Sequence, residues 1–332
     1  MCLRERYYIV PIKKRGLVLL LGSLIFYSLG SPISLLVLVL LVLLNYFYAD
    51  RIYKHSISED EPLPTPDKIA KLWLIVAIAT DVGVLFAFKY LRVILEAFGV
   101  PFITKLVSIA EISNILGAFT QRLVIPLGIS FIIFQLLSFV IDMYRGKYAE
   151  GVSLYHFAIY ATMFPQISSG PITRYSDICE NIERPNYVNP KLLEEGIIYF
   201  VLGLSYKVLL ADKIAALWND VWRVGASGID TASAWLGAWG YSFEIYFDFF
   251  GYSMMAMGVA MLLGYRLPVN FTEPYSQKTM TSFWRNWHIT LGRWFRDYLY
   301  IPMGGNRGSG LRTIFNIFIV WMFTAIWHGA SI

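Results

Sequence analysis

The chain has 332 residues, of which 57% are hydrophobic and 15% charged, with a mean hydropathy of +0.54 and a formal net charge of +5. A soluble globular domain is about 45–50% apolar and about 25% charged, so a soluble enzyme is excluded and an integral membrane protein with several spans is indicated. The Lys and Arg residues then report topology and headgroup contact, and no basic run with interleaved aromatics suggests nucleic acid. Two cysteines, Cys2 and Cys179, are too few for a disulfide framework or a Cys-based zinc site.

In chain order, Lys13, Lys14 and Arg15 precede an apolar run from Gly16 to Leu29, and a second run, Ile33 to Ala49, follows almost at once. A hairpin of two membrane helices accounts for both runs better than a cleaved signal peptide does. Further candidate spans are Leu72–Tyr90, Val124–Tyr144, Leu154–Phe164, Gly196–Leu210, Ala232–Phe250, Ser253–Leu263 and Ile314–Trp327. "LRVILEAFGVPFI" (91–103) reads as a partial insertion. Several runs fall short of the roughly 20 residues of a full crossing, so tilted, re-entrant or protein-enclosed helices are expected, with about eight to ten membrane segments in all. The stretch 56–68, with four acids and three prolines, reads as an exposed loop, and 173–196 is the other long polar stretch. No repeat or Gly/Ser linker divides the chain, and 1–332 reads as one membrane-embedded domain.

Asp81, Lys89, Lys207, Glu244 and Asp248 lie in or beside apolar runs, where an ionisable group marks a cavity or an internal pair. Glu244 and Asp248 are four apart and project together from a helix. Two close carboxylates can share a proton, bind a cation or act as acid and base; hydrogen bonding within the bundle is the plainer alternative. Lys207 and Asp212 read as a helix end at the interface, with Lys207 snorkelling.

Thr281 to Gly308, "TSFWRNWHITLGRWFRDYLYIPMGGNRG", concentrates three Trp, four Arg and a His. On a helix over 284–298, Trp284, Trp287, Leu291, Trp294, Phe295 and Tyr298 fall in one arc, with Arg285, Arg293 and Arg296 opposite. This predicts an interfacial helix with His288 on the border between its faces. "MGGNRG" reads as a tight turn built on glycine. In "TAIWHGASI", His328 closes an apolar run; a neutral histidine in a desolvated pocket suits general-base work, and a helix-end histidine bonded to a carbonyl is the alternative.

Seven stretches taken together, in this order, resemble the membrane-bound O-acyltransferase family, in particular its bacterial alginate O-acetylase-like branch. They are "IPLGISFIIFQLLSFVIDMYRG" (125–146), "MFPQISSGPITRY" (163–175), "GLSYKVLLADKIA" (203–215), "YSFEIYFDFFGYSMMAMG" (241–258), "GYRLPVNFTEPY" (264–275), "FWRNWHITLGRWFRDYLYIPMGGNRG" and "WHGAS". The resemblance implies an all-α, polytopic helical bundle around a central tunnel, with interfacial and re-entrant helices, in the cell inner (plasma) membrane. It implies that His328 is the base and that His288 orients or polarises a reactant. Arg285, Trp287, Arg293, Arg296, Asp297, Arg307 and Asp248 are then the expected substrate-binding residues, the arginines attracting a phosphate-bearing donor.

No bound cofactor or metal is expected; acetyl-CoA or another acyl thioester is the donor substrate. The expected partners are a separate extracytoplasmic polysaccharide acetyltransferase and membrane lipid, with no nucleic acid. The chain ends four residues after His328, where the family continues with further helices, so the domain reads as C-terminally incomplete. Within 241–258, Glu244, Phe250 and Met254 depart from the family pattern. Competing readings are D-alanyl transfer to teichoic acid on the same fold, and a non-enzymatic transporter or flippase using Asp81, Glu244 and Asp248.

Overall fold

A computed structural model of the chain describes residues 10–30, 32–56, 65–94, 126–167, 170–184, 189–225 and 228–329. Every regular element among them is helical, as expected of a chain whose backbone polar groups must be satisfied within each segment in lipid. The helices are α1 (Arg15–Gly30), α2 (Pro32–Lys54), α3 (Lys68–Ile94), α4 (Ile129–Tyr144), α5 (Leu154–Thr162), α6 (Phe164–Ile167), α7 (Tyr175–Glu183), α8 (Pro190–Ser205), α9 (Asp212–Val224), α10 (Thr231–Leu262), α11 (Met280–Asn286), α12 (Ile289–Phe295) and α13 (Gly310–His328). Four of the described helices are long and apolar enough to cross a membrane: Pro32–Lys54, Lys68–Tyr90, Thr231–Leu262 and Gly310–His328. The protein is a polytopic helical membrane protein. The two apolar runs near the N-terminus are the helices α1 and α2, of which only α2 is long enough to cross a membrane; Cys2, most of the stretch 56–68 and residues 95–103 of the expected partial insertion lie outside the described residues.

The chain divides into two compact units, Met1–Leu19 with Ser168–Arg293, and Leu20–Ile167 with Trp294–Ile332. In the first, α8 and α10 pack along their lengths through paired glycines. A Cβ on Gly203 would stand 2.6 Å from the Gly251 carbonyl oxygen, and one on Gly251 would stand 2.7 Å from that of Gly203. Gly196 and Gly258 repeat the arrangement seven residues away, at 2.9 and 2.7 Å. The pairing order, 196 with 258 and 203 with 251, makes the helices antiparallel. Asn189 caps α8 through the Lys191 amide, and Asp230 caps α10 through the Ser233 amide. The Ser233 N–H holds the Asp230 carboxyl below the usual carboxylate range.

This contact corrects one expectation. Ala232–Phe250 and Ser253–Leu263 are one 32-residue helix, α10, because Gly251 is a point of backbone approach and not a break. The polar stretch 173–196 is largely helical: it contains α7, which presents Tyr175, Ile178 and Ile182 to the interior, and the first turns of α8.

In the second unit, α2, α3 and α4 pack on one another. Asp81 is buried and accepts from the Asn45 side-chain amide at 2.8 Å, an internal pair between α3 and α2. Gly128 precedes α4 with φ 67°, and a Cβ there would stand 1.7 Å from the Ile167 carbonyl oxygen, so only glycine fits. Leu154–Phe164 is broken at Met163 into α5 and α6, with the Phe164 amide donating to Ser23.

A methyl group at Gly203 or Gly251 forces the α8 and α10 backbones apart. Gly203→Ala and Gly251→Ala should each lower stability by about 1–3 kcal/mol. Gly83→Ala, where a Cβ meets nothing within 4 Å, should be neutral or stabilising, by up to about 1 kcal/mol. Thermal unfolding of the detergent-purified variants checks this; three indistinguishable midpoints would contradict the glycine contact.

Candidate active site

The 284–298 segment is not the continuous helix expected from its periodicity. It is α11, then Trp287 and His288, then α12, then a π-helical turn over Arg296–Tyr300. The break lies at His288, whose φ is +42°; among the described residues only Glu273 shares the positive sign without being glycine. A left-handed β-carbon-bearing residue costs of order 1 kcal/mol or more and is held only where its surroundings over-determine it.

Those surroundings belong to the first unit. His288 Nδ1 lies 2.9 Å from Asn270 Oδ1. The Thr290 hydroxyl accepts from the Ile172 amide at 3.0 Å and donates to the same Oδ1 at 2.9 Å. The Thr290 backbone N–H, which can only donate, also faces that atom. Asn270 Oδ1 is therefore an acceptor, its Nδ2 donates to Ser253 on α10, and the backbone carbonyl of Asn270 accepts from the Ile289 amide. Neutral His288 must carry its proton on Nδ1, which places the lone pair on Nε2. Phe249 meets the ring edge-on at 4.7 Å, and Phe271 lies nearly parallel to it at 6.3 Å. His288 is 5% exposed. It is a buried, oriented imidazole, not one standing on a lipid-facing border.

Most of the aromatic arc is likewise enclosed by protein: Leu291, Trp294, Phe295 and Tyr298 are buried and Trp287 is half-buried, while Trp284 is exposed. Trp287 packs among Tyr246, Phe271, Tyr275 and Phe283. In the second unit Trp294 stacks on Phe134 at 4.1 Å and donates to its carbonyl at 2.8 Å. Tyr298 donates to the fully buried Asp142, which also has the Lys147 ammonium at 3.0 Å.

His328 also lies in the second unit, on the last turn of α13. Its Nδ1 is 2.9 Å from the Thr324 carbonyl oxygen, an obligate acceptor, so Nδ1 donates and Nε2 again carries the lone pair. The Trp327 ring stands edge-on to it at 4.7 Å. The expected helix-end bond to a carbonyl is present, and it fixes the neutral tautomer with Nε2 unprotonated.

The other expected residues divide into two groups. Arg293 makes a two-pronged ion pair with Asp177, at 2.5 and 3.2 Å, and its backbone carbonyl accepts from Arg174. Arg296 bonds its neighbour Asp297 at 2.7 Å, and the Asp297 carbonyl accepts from Arg145. Asp248 pairs with Lys207 at 2.6 Å, and Lys207 reaches Asp212 at 2.7 Å. Lys207 is therefore held by two carboxylates within the first unit, and the helix end expected at Lys207 and Asp212 is absent, since a π-helical turn over Tyr206–Ala211 leads directly into α9. Arg293, Asp297 and Asp248 are thus engaged within the protein, while Arg296 is exposed and bonds its neighbour. Arg285 and Arg307 are exposed.

The glycine turn has φ 104° at Gly304 and 56° at Gly305, as its composition suggests, and α13 closes it through Arg312 on the Met303 carbonyl and Asn316 on that of Gly305. The residues missed from sequence are Asn270, Thr290 and Ser253. Only the polar character of Asn270 between Val269 and Phe271 marks that position in the sequence.

Residues 19–332 match the model of MBOAT, the membrane-bound O-acyltransferase family. The chain is 34% identical over 325 residues to the "Probable alginate O-acetylase AlgI" of Pseudomonas aeruginosa, covering 98% of this chain and 59% of that protein. It is 32% identical over 339 residues to the "Peptidoglycan O-acetyltransferase" of Helicobacter pylori, covering 94% and 60%. It is 32% identical over 226 residues to the "Teichoic acid D-alanyltransferase" of Bacillus subtilis, covering 64% and 55%. The chain thus spans about three fifths of the length of the curated relatives it matches over nearly all its residues.

Asn270→Ala removes the acceptor that His288, Thr290 and the Thr290 amide share. It should cost about 1–3 kcal/mol in thermal unfolding and speed carbethoxylation of His288 by diethyl pyrocarbonate, read by peptide mass spectrometry. Unchanged reactivity would show that the left-handed backbone holds the ring without Asn270.

Proposed function

The chain belongs to the membrane-bound O-acyltransferase family, and on that premise we propose that it passes an acetyl or other acyl group from a cytoplasmic thioester donor across the inner (plasma) membrane, in which it sits as a multi-pass protein. The product of this transfer is O-acetylation of a cell-surface polysaccharide of alginate type. The observation that carries the reading is His328: its Nδ1–H is committed to the Thr324 carbonyl, and its Nε2 lone pair stands on an exposed ring.

In the reaction so proposed, Nε2 of His328 removes the proton of the acceptor hydroxyl as that oxygen attacks the thioester carbonyl. A C–O bond forms, the C–S bond breaks, and the thiolate leaves and takes up a proton. General-base assistance of this kind contributes about 10²–10⁴-fold. His288, fixed by Asn270 in the tautomer that presents Nε2 as an acceptor, orients a hydroxyl-bearing reactant. Arg285 and Arg307 attract the phosphates of a donor such as acetyl-CoA, while Arg293, Arg296, Asp297 and Asp248 hold the framework. A separate extracytoplasmic acetyltransferase takes the acyl group on to the polysaccharide.

Acetyl transfer is favoured over D-alanyl transfer because the relatives named as O-acetylases match 94–98% of the chain, against 64% for the D-alanyltransferases. A transporter using Asp81, Glu244 and Asp248 is disfavoured, since Asp81 is closed in a pair with Asn45 and Asp248 in one with Lys207.

In cells or proteoliposomes supplied with acetyl-CoA, His328→Ala should abolish acetylation while the protein still inserts and purifies. His288→Ala should reduce turnover by about 10²-fold. Wild-type acetylation in His328→Ala would end the proposal, and transfer only from a D-alanyl carrier-protein thioester would redirect it to the alternative substrate.

A further inference from the structure

An α-helix ends with carbonyl groups that find no partner in their own ladder, and in lipid each needs another donor. At the end of α13, just before His328, the Gly329 amide serves the Ala325 and Ile326 carbonyls at 3.2 Å. Two further donors come from α3: the Lys89 ammonium bonds the Trp327 carbonyl, and the Tyr90 hydroxyl bonds that of Ile326. The Lys89 ammonium also lies 5.2 Å from the centre of the Trp327 indole. The same indole stacks on Phe134 of α4 at 5.2 Å and meets Phe131 edge-on. Trp327 is buried, at 8% exposure, while most of α13 around it is exposed.

A lysine at membrane depth is costly by about 2.5–3.5 kcal/mol and is not needed merely to fill space. Here it neutralises the negative end of the α13 dipole, supplies the missing donor and makes a cation–π contact at a single residue. That residue immediately precedes His328 and shares its ring edge.

We propose that Lys89, with Tyr90, is a positioning residue for His328: α3 grips the last turn of α13 by its carbonyls, so that the imidazole is presented in one orientation. The inference rests on the reading of His328 as the general base. Displacement of a reacting group by about 1 Å costs as much as 10²-fold in rate, so the grip should appear in turnover and not in donor affinity.

Three variants in the full protein test it. Lys89→Met keeps the length and removes the charge, in a form that lipid accepts more readily. Lys89→Arg keeps the donors and the cation–π contact, and Tyr90→Phe removes one donor. Lys89→Met should speed hydrogen exchange of the 325–329 amides and lower kcat 10- to 100-fold with the donor KM within about 2-fold; Lys89→Arg should restore both to within a few-fold of wild type. Tyr90→Phe should show a smaller change of the same sign.

Exchange in Lys89→Met at the wild-type rate would overturn the grip. Faster exchange with unchanged kcat would overturn its positioning role. If His328→Ala retains activity, the functional reading fails separately, while the exchange measurement still decides whether α3 holds the end of α13.

Discussion

Helices in lipid gain little by burying apolar side chains against one another, because the acyl chains are as apolar as leucine. What draws α8 and α10 together is removal of side chains altogether: Gly196, Gly203, Gly251 and Gly258 bring two backbones into van der Waals contact. Much of the first unit follows from that approach. Lys207 lies one turn beyond Gly203 and Asp248 just under one turn before Gly251, so the seam delivers ammonium and carboxylate to each other at 2.6 Å. With α10 anchored on this face, Phe249 and Ser253 project from another, where Phe249 meets the His288 ring and Ser253 accepts from Asn270. A backbone contact made of glycine thus fixes the side of the imidazole.

The second unit answers the same constraint with aromatic rings and buried polar pairs. Phe134 of α4 receives Trp294 on its ring and carbonyl and stacks on Trp327 as well. Asn45 with Asp81 and Tyr298 with Asp142 add hydrogen bonds whose alternative in hydrocarbon is an unsatisfied polar group. The first pair joins the consecutive helices α2 and α3, the second joins α4 to a turn 156 residues on, and each costs less inside protein than facing lipid.

Hydropathy made most of the long helices legible, since a run of apolar residues has few other uses. It misled wherever the chain's environment is protein. Periodicity drew 284–298 as an interfacial helix, because an aromatic stripe looks the same whether it faces acyl chains or the rings of Phe134 and Phe271. The break at His288 left no mark: no Pro or Gly announces it, and the left-handed turn is enforced by Asn270, eighteen residues away. The arginines were read as a guanidinium face open to phosphate, yet Arg293 is held by Asp177, whose distance in sequence hides the pair. The "WHG" histidine was singled out through its family resemblance and its apolar setting; its tautomer is set by the Thr324 carbonyl, which hydropathy does not reveal.

Both histidines follow one rule. Each gives Nδ1–H to an oxygen whose acceptor role is forced, an amide oxygen pinned by two further donors for His288 and a helix carbonyl for His328. Each therefore offers Nε2 as an acceptor without needing a carboxylate partner. A carboxylate behind the ring would favour imidazolium, and in a low-dielectric setting it would bring its own desolvation cost. A neutral carbonyl fixes orientation and tautomer while adding no charge. A histidine held by neutral oxygens is the less costly way to orient an imidazole among apolar helices, and in this chain Asp248, Asp177 and Asp297 are occupied instead with Lys207, Arg293 and Arg296.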